Sequence, residues 1–159
     1  MKKVHIFGMG MVLVAVILFL ILSSGNASSY ESINNFGGEI SIYKDSSCGC
    51  CGVYGNYFQN KGNSDTKIVS LENANSIKDK YNIPKDLRSC HTTIIGDYFV
   101  EGHIPLEAVE RLLNDHPDIA GIAMPGMPEG SPGMPGNQMA DFVIYSVNHD
   151  GSSEEWMRI

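Results

Sequence analysis

The spacing of apolar and polar residues along the chain predicts a series of short strands and helices. Strands are expected where apolar and polar residues alternate or where β-branched and aromatic residues are concentrated. The predicted strands span residues 39–44, 66–71, 92–95, 98–101, 142–147 and 153–158. Helices are predicted over 48–58, 73–81 and 105–116. The last helix begins at a proline and carries an apolar stripe of Leu106, Val109, Leu112 and Leu113.

The order of these elements predicts an α/β fold with a mixed sheet. Two strand–helix units come first, followed by a hairpin, a helix and a closing hairpin. Gly96-Asp97 has the composition of a two-residue hairpin turn, and His149-Asp150-Gly151 marks the turn of the closing hairpin. Residues 123–139 are rich in proline, glycine and methionine, and this composition predicts a loop.

The N-terminal residues predict export from the cytoplasm. Residues 6–22 are almost wholly apolar, Lys2 and Lys3 precede them, and small polar residues follow, as in a signal peptide. The apolar run is also near the lower length limit for spanning a bilayer, so residues 4–22 could instead form an uncleaved membrane anchor. We therefore divide the chain into a signal peptide or anchor (1–27), a linker (28–38) and a folded domain (39–159), which is secreted, periplasmic or membrane-anchored.

Charge and location narrow the classes of function. The chain has 18 acidic and 11 basic residues and a net charge of −7, which argues against a nucleic-acid partner. No Ser/His/Asp triad, paired carboxylates or phosphate-binding glycine loop is evident. Thiols outside the cytoplasm tend to oxidise. A cluster of cysteines in such a protein therefore suggests either metal binding or redox turnover.

Three of the four cysteines, Cys48, Cys50 and Cys51, fall at the predicted start of a helix. Cys48 and Cys51 have the C-x-x-C spacing of a thioredoxin-type redox pair, and the helix N-terminus stabilises thiolates there. Cys50 departs from that pattern, because a third thiolate repels the other two unless a cation is present. Cys90 comes just before a predicted strand and can approach from the other side. Four thiolates could then converge on one site.

The cysteine spacing favours copper but leaves other uses open. Soft thiolates select Cu(I), Zn(II) or iron–sulfur clusters, and neighbouring cysteines suit bridging thiolates of a polynuclear Cu(I) cluster better than one tetrahedral zinc ion. The first alternative is a thiol–disulfide oxidoreductase with Cys48 as nucleophile and Cys51 as resolving thiol. The second is a domain stapled by a Cys48–Cys51 or Cys51–Cys90 disulfide, without metal.

Methionines and histidines add further candidate ligands. Met124, Met127 and Met134 lie on the predicted loop, and thioether sulfur also selects Cu(I). Methionine equally fills gaps in a hydrophobic core. His91 adjoins Cys90 and could bind metal or orient a ligand. His103 follows a strand end and could face the same site or be satisfied in the core.

Four motifs occur in order along the predicted domain. They are Cys48-Gly-Cys-Cys-Gly after Tyr43-Lys44, Ser89-Cys90-His91-Thr92, Val100-Glu-Gly-His103-Ile-Pro105, and the run from Gly121 through Met124, Met127 and Met134. Together they resemble the CopG-type copper-resistance family, domain-of-unknown-function family 411, over residues 39–158. The resemblance implies a thioredoxin-like fold, an extracytoplasmic location and a copper cluster bound by Cys48, Cys50, Cys51 and Cys90.

The resemblance and the residues together predict a protein for copper resistance or homeostasis that holds Cu(I). The predicted metal-site residues are Cys48, Cys50, Cys51, Cys90, His91, Met124, Met127 and Met134. Copper oxidoreductase activity through Cu(I)/Cu(II) conversion and transfer of copper to a partner protein are both compatible with this prediction.

Overall fold

A seven-stranded mixed sheet organises residues 30–159, the part of the chain that the computed structural model describes. The strands are β1 (Ile40–Asp45), β2 (Lys67–Leu71), β3 (His91–Ile95), β4 (Tyr98–Glu101), β5 (Gly121–Ala123), β6 (Val143–Val147) and β7 (Ser153–Arg158). Their order across the sheet is β2-β1-β3-β4-β5-β6-β7. The pairs β1/β2 and β4/β5 are parallel and the other pairs are antiparallel. The predicted mixed α/β fold is confirmed.

Four α-helices accompany the sheet within residues 30–159. They are α1 (Glu31–Asn34), α2 (Gly49–Lys61), α3 (Asn75–Lys80) and α4 (Leu106–Asp115), with a 3₁₀ turn at Lys85–Leu87. The three predicted helices are confirmed, and α2 continues nearly one turn beyond the predicted end at Phe58. The whole apolar stripe of α4 is buried, as its helical spacing predicts.

Strand β5 was not predicted, and its last residue, Ala123, was wrongly placed in the predicted loop over residues 123–139. Its three residues are all buried. Phe99 pairs with Gly121 on one side, and Val147 pairs with Gly121 on the other. A three-residue strand has too short a pattern to be recognised, and its extended backbone is stabilised by hydrogen bonds to β4 and β6.

The predicted linker, residues 28–38, contains α1, which packs on the domain. Ile33 of α1 is fully buried in the main core cluster. The Glu110 carboxylate accepts the backbone N–H groups of Ser32 (2.8 Å) and Ile33 (3.1 Å) at the start of α1. The Asn63 amide donates to the Ile33 carbonyl at 2.9 Å. These contacts attach α1 to α4 and to the turn after α2.

The predicted signal peptide or anchor, residues 1–27, lies outside the described residues. None of the helices within residues 30–159 has the length and apolar character needed to span a membrane.

Candidate metal centre

Strand pairing brings four chain segments to one edge of the sheet. β1 ends beside the start of β3, since Lys44 pairs with His91. β4 ends beside the same strand, since Glu101 pairs with Thr92. β5 runs parallel to β4, and Ala123 pairs with Glu101. The residues after β1, before β3, after β4 and after β5 therefore meet. These segments contain the cysteine motif, Cys90, His103 and the start of the proline-, glycine- and methionine-rich residues 124–139, here called the methionine loop.

The cysteine motif forms a tight turn into α2. The Cys48 N–H donates to the Asp45 carbonyl at 3.0 Å, and Cys48 is the N-cap residue of the helix. The Lys44 ammonium donates to the Cys48 carbonyl at 3.3 Å, which places a positive charge beside the turn. Cys48 and Cys51 are joined by a disulfide with Cα atoms 5.5 Å apart. The C-x-x-C pair is therefore in its oxidised form.

Cys50 and Cys90 are the two free cysteines within residues 30–159. The Cys50 Sγ lies 3.5 Å from the Cys48 Sγ. The sulfur atoms of all four cysteines lie within 4.8 Å of one another. Burial raises the pKa of the Cys90 thiol, the nearby Cys50 raises it further, and the Ser89 hydroxyl opposes this rise. Cys90 is consequently a neutral thiol near pH 7, and metal binding would release its proton.

Two buried histidines extend the cysteine group on the Cys90 side. Cys90, His91 and His103 form a second set whose candidate ligand atoms lie within 4.8 Å of one another. The His103 Nε2 is 3.0 Å from the Cys90 Sγ, and the His91 Nδ1 is 4.0 Å from it. Burial lowers the pKa of both imidazoles, and for His91 the neighbouring His103 and Lys78 lower the pKa further. Both rings are therefore neutral near pH 7, the form that binds metal.

Tyr54 packs against both imidazole rings from one turn further along α2. Its ring centroid lies 4.3 Å from that of His91 and 5.6 Å from that of His103. Its hydroxyl donates to the Ile104 carbonyl at 2.9 Å. Burial raises the pKa of Tyr54, so the hydroxyl remains protonated and keeps this bond. The ring fixes one side of the histidine pair.

A buried ion pair supports the segment that carries Cys90. The Glu101 carboxylate accepts hydrogen bonds from the Lys78 ammonium, the Thr92 hydroxyl (2.6 Å) and the Ser89 N–H (2.6 Å). Lys78 also donates to the Thr92 hydroxyl at 3.0 Å. Burial raises the pKa of Glu101, and these three partners each lower it. The network connects α3, β3 and β4 to the residue immediately before Cys90.

The methionine loop approaches the site through its backbone. The Pro132 carbonyl is 2.8 Å from the His103 Nδ1. Gly133 has a φ of +84°, and a Cβ at this position would lie 2.8 Å from the Tyr54 nitrogen and 3.1 Å from the Cys50 carbonyl. Glycine is thus required for the loop to contact α2 this closely.

The three predicted methionine ligands occupy different environments. Met124 is buried in the main hydrophobic core cluster. Met127 is 53% exposed, and Met134 is half-buried beside Gly133. Their place in the loop therefore does not give them a common role.

The predicted ligand list included His91 but omitted His103, which the structure brings closer to Cys90. The position of His103 just after a strand, in Glu101-Gly102-His103, was the available indication. Its proximity depends on strand pairing and on the turn at Gly102, whose φ is +88°. The ion pair of Lys78 with Glu101 was also not predicted, because the residues of α3 have the pattern of an ordinary polar helix.

The fold and the site define a mixed α/β domain with a cysteine–histidine cluster that could hold a metal ion. Residues 87–134 match the model of a family described as "Protein of unknown function, DUF411". The chain is also similar to solved structures titled "Copper resistance protein copG", Form 1 and Form 2. Form 1 is 29% identical with a TM-score of 0.65, covering 76% of this chain and 96% of that chain. Form 2 is 28% identical with a TM-score of 0.66, covering 76% and 97% respectively.

These matches confirm the resemblance that the motifs predict. Residues 87–134 match the DUF411 model, and 76% of the chain is similar to the structures titled as that copper resistance protein. Comparison with curated proteins gives no match.

Proposed function

We propose that this protein binds copper for copper resistance or homeostasis, and that its reduced form holds Cu(I) between Cys48, Cys50, Cys51 and Cys90. The observation that carries the proposal is the convergence of four sulfur atoms within 4.8 Å of one another. Thiolates at such separations suit the soft Cu(I) ion and can bridge two ions. The similarity to a protein titled as a copper resistance protein supports the choice of copper.

The residues fit this role once the Cys48–Cys51 disulfide is reduced. Reduction supplies two more thiolates at the start of α2, where the helix dipole and the Lys44 ammonium favour negative charge. The Lys78–Glu101 network holds the Cys90 segment opposite them. Bound copper in such a cluster supplies one-electron chemistry between Cu(I) and Cu(II), which makes copper oxidoreductase activity part of the proposal.

The proposal includes the setting of the domain. A thioredoxin-like arrangement is supported by the C-x-x-C pair that follows β1 at the N-terminus of α2. An extracytoplasmic location, with residues 1–27 as signal peptide or anchor, is supported by the apolar N-terminal run and by a C-x-x-C pair in disulfide form.

A copper titration tests the proposal. The protein is fully reduced without oxygen, titrated with Cu(I) against a competing chelator, and examined by native mass spectrometry. More than one copper per chain is expected, with a lower count in Cys50→Ser. His149→Gln is the control, because this exposed histidine lies in the turn after β6. Zero bound copper, or an unchanged count in Cys50→Ser, would contradict the cluster.

The Cys48–Cys51 disulfide favours a second function, thiol–disulfide exchange. The bond sits at a helix start, and the free Cys50 sulfur lies 3.5 Å from Cys48. Insulin reduction distinguishes the two functions. Activity that survives Cys50→Ser and Cys90→Ser but disappears in Cys48→Ser would favour the oxidoreductase. If the disulfide forms but neither copper binding nor insulin reduction is found, the disulfide has only a structural role.

A further inference from the structure

We infer that Cys90, His91 and His103 form a separate mononuclear copper position, which stays available while the Cys48–Cys51 disulfide is closed. The inference relies on the proposed function for the identity of the metal. It adds two imidazole ligands to the proposed function. It also applies to the disulfide form of the protein, in which the four-cysteine cluster cannot form. Cys90 is shared by both sets of candidate ligands.

The distances suit one ion. Metal–sulfur and metal–nitrogen bonds of about 2.3 and 2.1 Å allow a sulfur and a nitrogen ligand of one ion to lie at most about 4.4 Å apart. The Cys90 Sγ lies 3.0 Å from the His103 Nε2 and 4.0 Å from the His91 Nδ1. Both pairs are within that limit, and the candidate nitrogen atoms of His91 and His103 lie within 4.8 Å of each other.

His103 is oriented as a ligand. Its Nδ1 is 2.8 Å from the Pro132 carbonyl. A carbonyl only accepts hydrogen bonds, so Nδ1 carries the proton and Nε2 presents its lone pair towards Cys90. A backbone carbonyl that holds the distal nitrogen is the usual support of a metal-binding histidine.

His91 is fully buried, and the Gly102 backbone and the Cys90 sulfur are its polar neighbours. Its Nε2 has no hydrogen-bond partner among residues 30–159, and its Nδ1 is 4.0 Å from the Cys90 sulfur. A buried polar side chain normally has its hydrogen-bonding capacity satisfied. A metal ion at Nδ1 would replace the 4.0 Å contact with the Cys90 sulfur by a strong bond, with the ring proton on Nε2, and the ring is held in place by Tyr54.

The donor set differs chemically from the cysteine cluster. One thiolate and two imidazoles are the ligands of copper sites that accommodate both Cu(I) and Cu(II), whereas a set of thiolates selects Cu(I). The described structure, with its disulfide closed and Cys90 free, retains all three donors. The set of Cys90, His91 and His103 would therefore bind copper while the disulfide is closed, and the four-cysteine set would bind it once the disulfide is reduced.

The test uses the full chain with its Cys48–Cys51 disulfide intact, verified by a count of two free thiols per chain. It is titrated with Cu(I) without oxygen against a competing chelator, and X-ray absorption at the copper edge identifies the ligands. One copper per chain is expected, with the scattering of two imidazoles and one sulfur. This measurement on the unaltered domain does not depend on the folding of a variant.

Variants distinguish this site from a site formed by the two free cysteines, Cys50 and Cys90. Cys50→Ser should keep one copper and the same spectrum, and His103→Gln should weaken binding at least about tenfold. Cys90→Ser should abolish binding, and His149→Gln should leave it unchanged. Two sulfurs without imidazole, or loss of binding in Cys50→Ser, would overturn the inference. So would the absence of copper in the disulfide form when the reduced form binds it, a result that leaves the proposed function intact. Absence of copper from both forms would reject both proposals.

Discussion

The Lys78 ammonium and the Glu101 carboxylate form a buried ion pair, and the same Glu101 oxygen accepts the N–H of Ser89, the residue before Cys90. The two side chains are 4% and 0% exposed. Removing one partner from a buried pair leaves an uncompensated charge, which costs about 3–5 kcal/mol. We therefore expect Lys78→Met to lower the free energy of unfolding by about this amount at pH 8, measured by urea denaturation of the metal-free protein.

The destabilisation by Lys78→Met should shrink at lower pH. Burial raises the pKa of Glu101 and Lys78 lowers it, so removing Lys78 raises it further above the ordinary value of 4.5. In the pH range between the ordinary pKa of Glu101 in the unfolded chain and its raised pKa in the folded variant, the folded variant binds more protons than the unfolded chain. Its free energy of unfolding therefore increases as pH falls through this range. Urea denaturation at pH 8 and pH 5.5 measures this. Lys80→Met, an exposed change on the same helix, should cost less than about 1 kcal/mol. An equal deficit at both pH values would refute the role of Glu101.

The Tyr54 hydroxyl should contribute to stability without contributing to copper binding. Tyr54→Phe leaves the buried Ile104 carbonyl without its donor, which costs about 1–3 kcal/mol. The phenyl ring can still pack against His91, so the copper count of the reduced protein should not change. Denaturant unfolding and native mass spectrometry measure the two effects. A reduced copper count in a folded variant would show that the hydroxyl matters for the site.

The methionine loop offers a matched pair of glycines. Gly133 and Gly126 have φ values of +84° and +78°, but a Cβ would meet α2 only at Gly133, and at Gly126 nothing lies within 4 Å. Gly126→Ala should cost only the left-handed backbone penalty of about 1–2 kcal/mol. Gly133→Ala should cost more and should also displace Pro132 from His103. Thermal unfolding and Cu(I) affinity measure both effects, and equal losses in the two variants would contradict the close contact.

Local pattern was sufficient to predict most elements of the fold. The apolar stripe of α4, the Gly96-Asp97 turn and the helix after the cysteine motif all appear where their sequences place them. Helix and hairpin signals lie within a few neighbouring residues, so they can be read without knowledge of the fold. β5 and α1 could not be predicted because each is only three or four residues long and is held by distant partners.

The sequence by itself determined the chemistry that is available: a motif of three cysteines at a helix start, a fourth cysteine beside a histidine, and a loop rich in glycine, proline and methionine. The tertiary structure alone decided which of these groups meet. It brought His103 to 3.0 Å from Cys90, buried Met124 in the core and placed Lys78 against Glu101. The physical reason is that the meeting of distant side chains depends on strand register, here the pairs Lys44–His91 and Thr92–Glu101, and register is set by the packing of the whole sheet.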